Sequence, residues 1–182
     1  MTDVFGYMIL NIMLLLQKNK PPLYPTFVMM KENKTTERGH EYYMKFSIDL
    51  ARTAKARGDA PVGSVIVQDG VIIAEGIEGG KTKKDITFHA EIEAIREAHI
   101  ITGNSDLSDC ILYTTHEPCI MCSYVIRHAR IQTVVFGIPV VETGGVHSPY
   151  PILTDTKIKI WGKPPRIVKG IMEREIKNSI AL

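Results

Sequence analysis

Between two runs of β-branched residues, Ser64 to Gln68 and Val71 to Ala74, the sequence places only Asp69-Gly70. A two-residue Asp-Gly link accepts the positive φ angles of a tight type I′ turn, whose twist matches that of paired strands. The two runs are therefore predicted to form an antiparallel hairpin. Upstream, Glu41 to Arg57 carries Tyr42, Phe46, Leu50 and Ala54 at fourfold spacing with Gly58 just beyond, the pattern of an amphipathic helix with a glycine stop. Downstream, His89 to Ile101 sets Ala90, Ala94, Ile95 and Ala98 against Glu93, Arg96 and Glu97 on the opposite side. Thr87 is a candidate cap for this helix and Gly103 its end.

Cys110 to Thr114 reads as a buried strand, Pro118 as the opening of a helix reaching about Ala129, and Gln132 to Phe136 as a second buried strand. Strand, helix, strand implies a parallel, right-handed crossover. Joined to the hairpin, it makes a mixed sheet with helices on both faces, a three-layer α-β-α sandwich of the α/β class. From Gly137 the chain turns irregular through Thr143-Gly144-Gly145 and Pro149 to Pro151, and loops of that length usually carry function. A weak strand near Arg166 to Val168 and a helix from about Ile171 close the chain.

A chain of 182 residues, 45% hydrophobic and 23% charged, fits one soluble domain with a continuous core. Residues 39–182 are read as that domain and residues 1–38 as an extension, broken by Pro21, Pro22 and Pro25 and ending in the charged run Lys31 to Arg38. Val4 to Leu16 is apolar apart from Asn11, but it lacks a basic start and a cleavage site and is too short to span a bilayer, so no membrane partner is expected. Met29, Met30 or Met44 offers an alternative start. The formal charge of +2 permits nucleic-acid binding without suggesting it. Three cysteines cannot build a disulfide framework, which makes the cytoplasm the expected location.

Cys119 and Cys122 lie three apart at a predicted helix start, where both sulfurs share one face and the helix dipole favours the thiolate that binds metal. A redox pair has the same spacing, but it gives no reason for His89-Ala90-Glu91 at the start of the neighbouring helix. Alone, His89 and Glu91 would be two solvated residues pointing to different sides of a turn. With the cysteines they complete H-x-E … P-C-x-x-C, the signature of zinc deaminases. One imidazole and two thiolates leave a fourth position open for water, the mark of a catalytic rather than a structural zinc site. Two thiolates also neutralise the ion's charge and blunt its acidity, so a proton acceptor is needed, and Glu91 is the candidate.

The chain resembles the cytidine-deaminase-like superfamily, in its branch of tRNA adenosine deaminases, short zinc-type guanine deaminases and cytosine deaminases. The likeness covers roughly residues 41 to 140. It rests on Ala60-Pro61-Val62-Gly63, Phe88-His89-Ala90-Glu91, Leu112-Tyr113-Thr114-Thr115, Glu117-Pro118-Cys119 with Cys122, and Val134-Val135-Phe136-Gly137. The resemblance implies a five-stranded sheet, one Zn2+ per subunit on His89, Cys119 and Cys122, Glu91 as proton shuttle, and a homodimer. It also implies that Ala90 offers backbone contacts to the ring and that Pro61 to Gly63, with Val62 at its centre, borders the pocket.

Relatives usually carry an asparagine where this chain has Glu78, and a carboxylate only accepts hydrogen bonds and repels phosphate. The expectation is a free base or nucleoside as substrate, with tRNA wobble adenosine, deaminated to inosine, as the alternative. Glu78 is either a substrate contact or a solvated loop residue, and Phe88 either narrows the pocket or packs in the core. Glu117 completes the candidate substrate contacts. Ile86 stands where the tRNA and guanine branches commonly have proline.

Among the remaining polar residues, Cys110 is expected in the core, and His116 either faces the pocket or bonds to backbone. His128 and Arg130 suit a helix C-terminus. His147 is a candidate for closing over substrate, and Lys157, Lys159, Lys163, Arg166 and Lys169 are either an RNA track or a solvated surface.

Overall fold

The computed structural model describes residues 39–180, so Val4 to Leu16 and the proposed alternative starts Met29 and Met30 lie outside the described residues. The elements run α1 (His40–Arg57), β1 (Gly63–Gln68), β2 (Val71–Ile77), α2 (Gly80–Lys83), α3 (Ala90–Thr102), β3 (Cys110–His116), α4 (Ile120–His128), β4 (Thr133–Ile138), a 3-10 turn (Lys159–Trp161), β5 (Arg166–Lys169) and α5 (Glu173–Ile180). The five strands form one mixed sheet in the order β2-β1-β3-β4-β5. β1 is antiparallel to both β2 and β3, while β3, β4 and β5 run parallel. Asp69 and Gly70 both take positive φ, 50° and 76°, as the predicted hairpin turn requires.

Alternation along the strands builds two cores. Ile66, Leu112, Val134 and Phe136 point to the face covered by α3 and α4. Val65, Val67, Tyr113 and Val135 point to the other face, under Tyr43, Met44, Ile48 and Ala51 of α1 and Ile176 of α5. Cys110 is fully buried in the first core, as expected. The second core includes residues of α1 from before Met44, with Tyr43 buried and His40 Nδ1 bonded to the Tyr113 hydroxyl at 3.0 Å. Among the described residues no helix is long and apolar enough to cross a membrane.

Several boundaries differ from the sequence reading: β3 and β4 run on to His116 and Ile138, and α2 is an additional short helix. β2 continues past Ala74 to Ile77, through a glutamate and a glycine that strands usually avoid. Gly76 is required there by a helix: a Cβ at this position would stand 1.9 Å from the Ala90 carbonyl oxygen and 2.7 Å from the Ala94 nitrogen. The absent side chain lets the first turn of α3 rest on the sheet backbone. Thr87 does not cap α3; its amide and hydroxyl both donate to Asp85 Oδ1, and the N-cap is His89. Pro118 does not open α4 either. The N-cap is Cys119, held extended by an isolated bridge to Gly144 and by the bond from the Ile120 amide to the Thr143 carbonyl at 2.9 Å.

Replacing Gly76 with Ala should cost about 3 kcal/mol of stability, because the added methyl meets helix backbone that cannot turn aside. Equilibrium denaturation of the two proteins measures it.

Candidate active site

The two helices on one face of the sheet aim their N-termini at a single point. His89 is the N-cap of α3 and Cys119 the N-cap of α4, both with extended backbone and neither with a side-chain capping bond. Their side chains turn away from the helix amides and toward each other instead. Because His89 sits before the helix, at ψ 149°, its direction is freed from the helical wheel. It therefore shares a site with Glu91, and the reading of two diverging solvated residues does not hold.

His89 Nδ1 lies 3.4 Å from Cys122 Sγ and 3.7 Å from Cys119 Sγ, and the two sulfurs are 3.7 Å apart. A tetrahedral zinc with bonds of about 2.3 Å to sulfur and about 2.0 Å to nitrogen sets donors about 3.8 Å apart for two sulfurs and about 3.6 Å for sulfur and nitrogen. The donor set fits the ion. Cys119 is pulled down to about 4, first by the hydrogen bond from Cys122 and then by His89, against the effect of burial. His89 is raised to about 9, first by Cys119, with Glu78 and Glu91 adding to it. Cys122 is pushed up, first by the hydrogen bond it makes to Cys119 and then by burial.

Glu91 stands beside this cluster, only 3% exposed, with Oε2 3.5 Å from Cys122 Sγ. Its Oε1 accepts from the Thr114 hydroxyl at 3.2 Å. Burial pushes the carboxyl up to about 7, partly opposed by hydrogen bonding. Thr114 was missed by sequence reasoning, although strand alternation places it on the same face as Leu112 and hence under α3. It pairs across the sheet with Ser64, which pairs with Gly76, so a row of small side chains forms the floor beneath the helix start. The Ser64 hydroxyl in that row is buried without a protein partner.

Glu117 and Glu78, both candidates for substrate contact, accept from backbone amides. Glu117 accepts from the amides of Val146 (2.7 Å), His147 (2.8 Å) and Val140 (3.0 Å) and from His147 Nδ1 (2.5 Å), so its acceptor positions are committed to the 140–147 loop. Burial opposes its ionisation, but these donors outweigh it and hold the carboxyl below the usual glutamate range. His147 is thereby a pin of that loop, with Nε2 3.3 Å from Lys169 Nζ, rather than a lid.

Glu78 is buried, not solvated, with Oε1 accepting from the Gly80 amide at 3.1 Å and Oε2 from the Ala90 amide at 3.3 Å. Of the Ala90 backbone groups, the amide is thus engaged by Glu78. Val62 is half-buried at the entry to β1, its carbonyl accepting from the Glu78 amide at 3.1 Å. Phe88 does not pack in the core: it is half-buried over Gly79, where a Cβ would meet Cδ1 at 2.7 Å, with Lys83 Nζ 5.6 Å from the ring centre.

His116 is half-buried on Thr114's face of β3, bonded to the Thr115 hydroxyl at 3.1 Å, and burial lowers its pKa. His128 ends α4 as expected, its ring tilted against Tyr124 with centroids 4.6 Å apart, while Arg130 lies beyond the helix and pairs with Asp106 at 3.1 Å. The five late basic residues are all exposed.

The cytidine and deoxycytidylate deaminase zinc-binding region matches residues 37–138, a span that contains every donor of the cluster together with Glu91. This chain belongs to that family. It is a zinc-dependent deaminase, an enzyme acting on carbon-nitrogen bonds. It is 41% identical over 117 residues to the tRNA-specific adenosine deaminase of Aquifex aeolicus, covering 64% of this chain and 78% of that protein. It is 46% identical over 98 residues to the guanine deaminase of Bacillus subtilis, covering 53% of this chain and 63% of that one. A solved structure from studies of A-to-I editing by tRNA:A34 deaminases at the wobble position of transfer RNA superposes with a TM-score of 0.70. That match has 32% sequence identity over 76% of this chain and 98% of that chain.

Cys122→Ser should reduce bound zinc from one ion per chain to less than about a tenth, read by elemental analysis of the purified protein. Thr114→Val should keep the zinc and lower kcat about tenfold, since a hydrogen bond to a charged group carries that much; steady-state ammonia release measures it.

Proposed function

We propose that the protein deaminates adenosine in tRNA, converting the wobble base to inosine. The observation that carries this reading is the arrangement of His89, Cys119, Cys122 and Glu91 in a chain whose likeness to a tRNA:A34 deaminase extends over 98% of that structure. A carboxylate at position 78 would repel a polyanionic substrate if it faced it. That carboxylate is buried and spent on two amides. Lys81, Lys83 and Lys84, all exposed, lie on the segment between Glu78 and His89, where phosphates approaching the site would meet them.

Zinc on His89 Nδ1 and the two sulfurs would supply a polarised, acidified water. The protein's own part is proton transfer and positioning. Thr114 holds Glu91 Oε1, leaving Oε2 toward the cluster as the atom that takes the water's proton and delivers it to the ring nitrogen. As the water's oxygen bonds to the ring carbon, the same carboxyl takes the remaining hydroxyl proton and passes it to the amine; breaking of the carbon-nitrogen bond then releases ammonia and leaves a carbonyl. A carboxyl held near neutral by burial is suited to both directions of transfer.

A free purine base is the second reading, favoured by the 46% identity to a guanine deaminase. A homodimer belongs to the same proposal, with sedimentation as its check. Ammonia release from tRNA, free bases and nucleosides by the zinc-loaded protein, with Glu91→Gln alongside, separates the readings. Turnover of tRNA adenosine alone, lost in the variant while zinc remains, is the expected result. Rapid turnover of guanine or another free base with none of tRNA would overturn it.

A further inference from the structure

α2 and α3 both begin without a capping side chain: the N-cap of α2 is Gly79, which has none, and that of α3 is His89, whose ring is committed to the metal cluster. The first amide of each helix nevertheless has an acceptor, and it is the same one. Glu78 Oε1 takes the Gly80 amide and Oε2 takes the Ala90 amide. A carboxylate with two such donors at helix starts is well placed, because each helix end carries partial positive charge.

The segment between these contacts is closed at its neck by the bond from the Gly79 amide to the Phe88 carbonyl at 3.0 Å. Its far side is anchored to a different part of the fold. Asp59 Oδ1 accepts from the amides of Lys81 (3.0 Å) and Thr82 (2.8 Å), and Oδ2 accepts from the Thr82 hydroxyl at 2.7 Å. The lysine-bearing turn is thus tied at one end to the loop after α1 and at the other, through Glu78, to the helix that carries Glu91.

We propose that Glu78 is a positioning residue that couples the lysine-bearing turn to the catalytic helix, so that the placement of residues 80–84 sets where the Glu91 carboxyl stands. Ala90 is the residue next to Glu91, and its amide is the point at which the turn grips α3. The coupling rests on the reading of Glu91 as the proton carrier, but the hydrogen bonds that make it can be measured without turnover. Glutamate suits this place because it offers two acceptor oxygens; glutamine offers one and sets an N-H against the other amide.

The test is a double-mutant cycle of Glu78→Gln and Asp59→Asn in the zinc-loaded full chain, read by zinc content, by amide hydrogen exchange at Gly80 and Ala90, and by kcat and KM for tRNA. Each single variant is expected to keep one zinc per chain. Glu78→Gln should speed exchange at Gly80 or Ala90 about tenfold and lower kcat about tenfold, with KM changed less than threefold. Asp59→Asn, which loosens the turn from its far side, should lower kcat in the parent and add little in the Glu78→Gln background.

Unchanged exchange at both amides in Glu78→Gln overturns the proposal. So does a raised KM with kcat intact, which would make Glu78 a substrate contact, or fully additive effects of the two substitutions on kcat. If tRNA is not turned over by the parent protein, the substrate reading fails by itself. The exchange measurement, with kcat taken on whichever base reacts, still decides the coupling.

Discussion

Two helix N-termini meet at one point above the sheet, and the polar residues at their starts are used for something other than capping. An N-cap side chain ordinarily satisfies one of the first amides of its own helix. Here His89 and Cys119 direct their side chains at each other, and the donor separations match what a tetrahedral zinc demands. Much of the surrounding structure supplies what that diversion leaves unmet. Glu78 accepts the first amide of α3, and the 143–145 segment braces the extended backbone ahead of α4.

The sheet contributes by being thin where the site needs room. Gly76, Ser64 and Thr114 form a row of hydrogen-bonded neighbours, and α3 settles onto it closely enough that a methyl at Gly76 would collide with helix backbone. Thr114 at the end of the row then meets the Glu91 carboxylate. Burial of Glu91 raises its proton affinity, and the threonine fixes which oxygen faces the cluster. Acid strength and orientation therefore come from one packing arrangement.

Buried carboxylates recur as fasteners. Glu117 gathers three amides and one imidazole from the loop after β4, and Asp59 and Glu78 gather amides from the segment after β2. In each case amides with no strand or helix partner, in a loop or in the first turn of a helix, find acceptors on one buried side chain, which satisfies several donors at once. Arg127 does the converse at the far end of α4, donating from a buried position to the carbonyls of Ile152, Asp155 and Gly162.

The hairpin, the four longer helices, the mixed three-layer order and the cluster of residues at 89, 91, 119 and 122 were legible in the sequence, because each depends on local spacing or on a residue type with few other uses. The roles of Glu78, Glu117, Thr114 and Gly76 were not. An acidic residue beside a metal motif reads as a substrate contact or as solvated, and nothing along the chain says that two amides distant in sequence will claim its oxygens. Thr114 and Gly76 acquire their roles only when strands pair and a helix lands on them. Sequence determined which groups could bind zinc or exchange a proton; the tertiary structure decided which carboxylate stands beside the cluster and which are taken up by amides of other segments, because burial and backbone donors exist only once the segments are brought together.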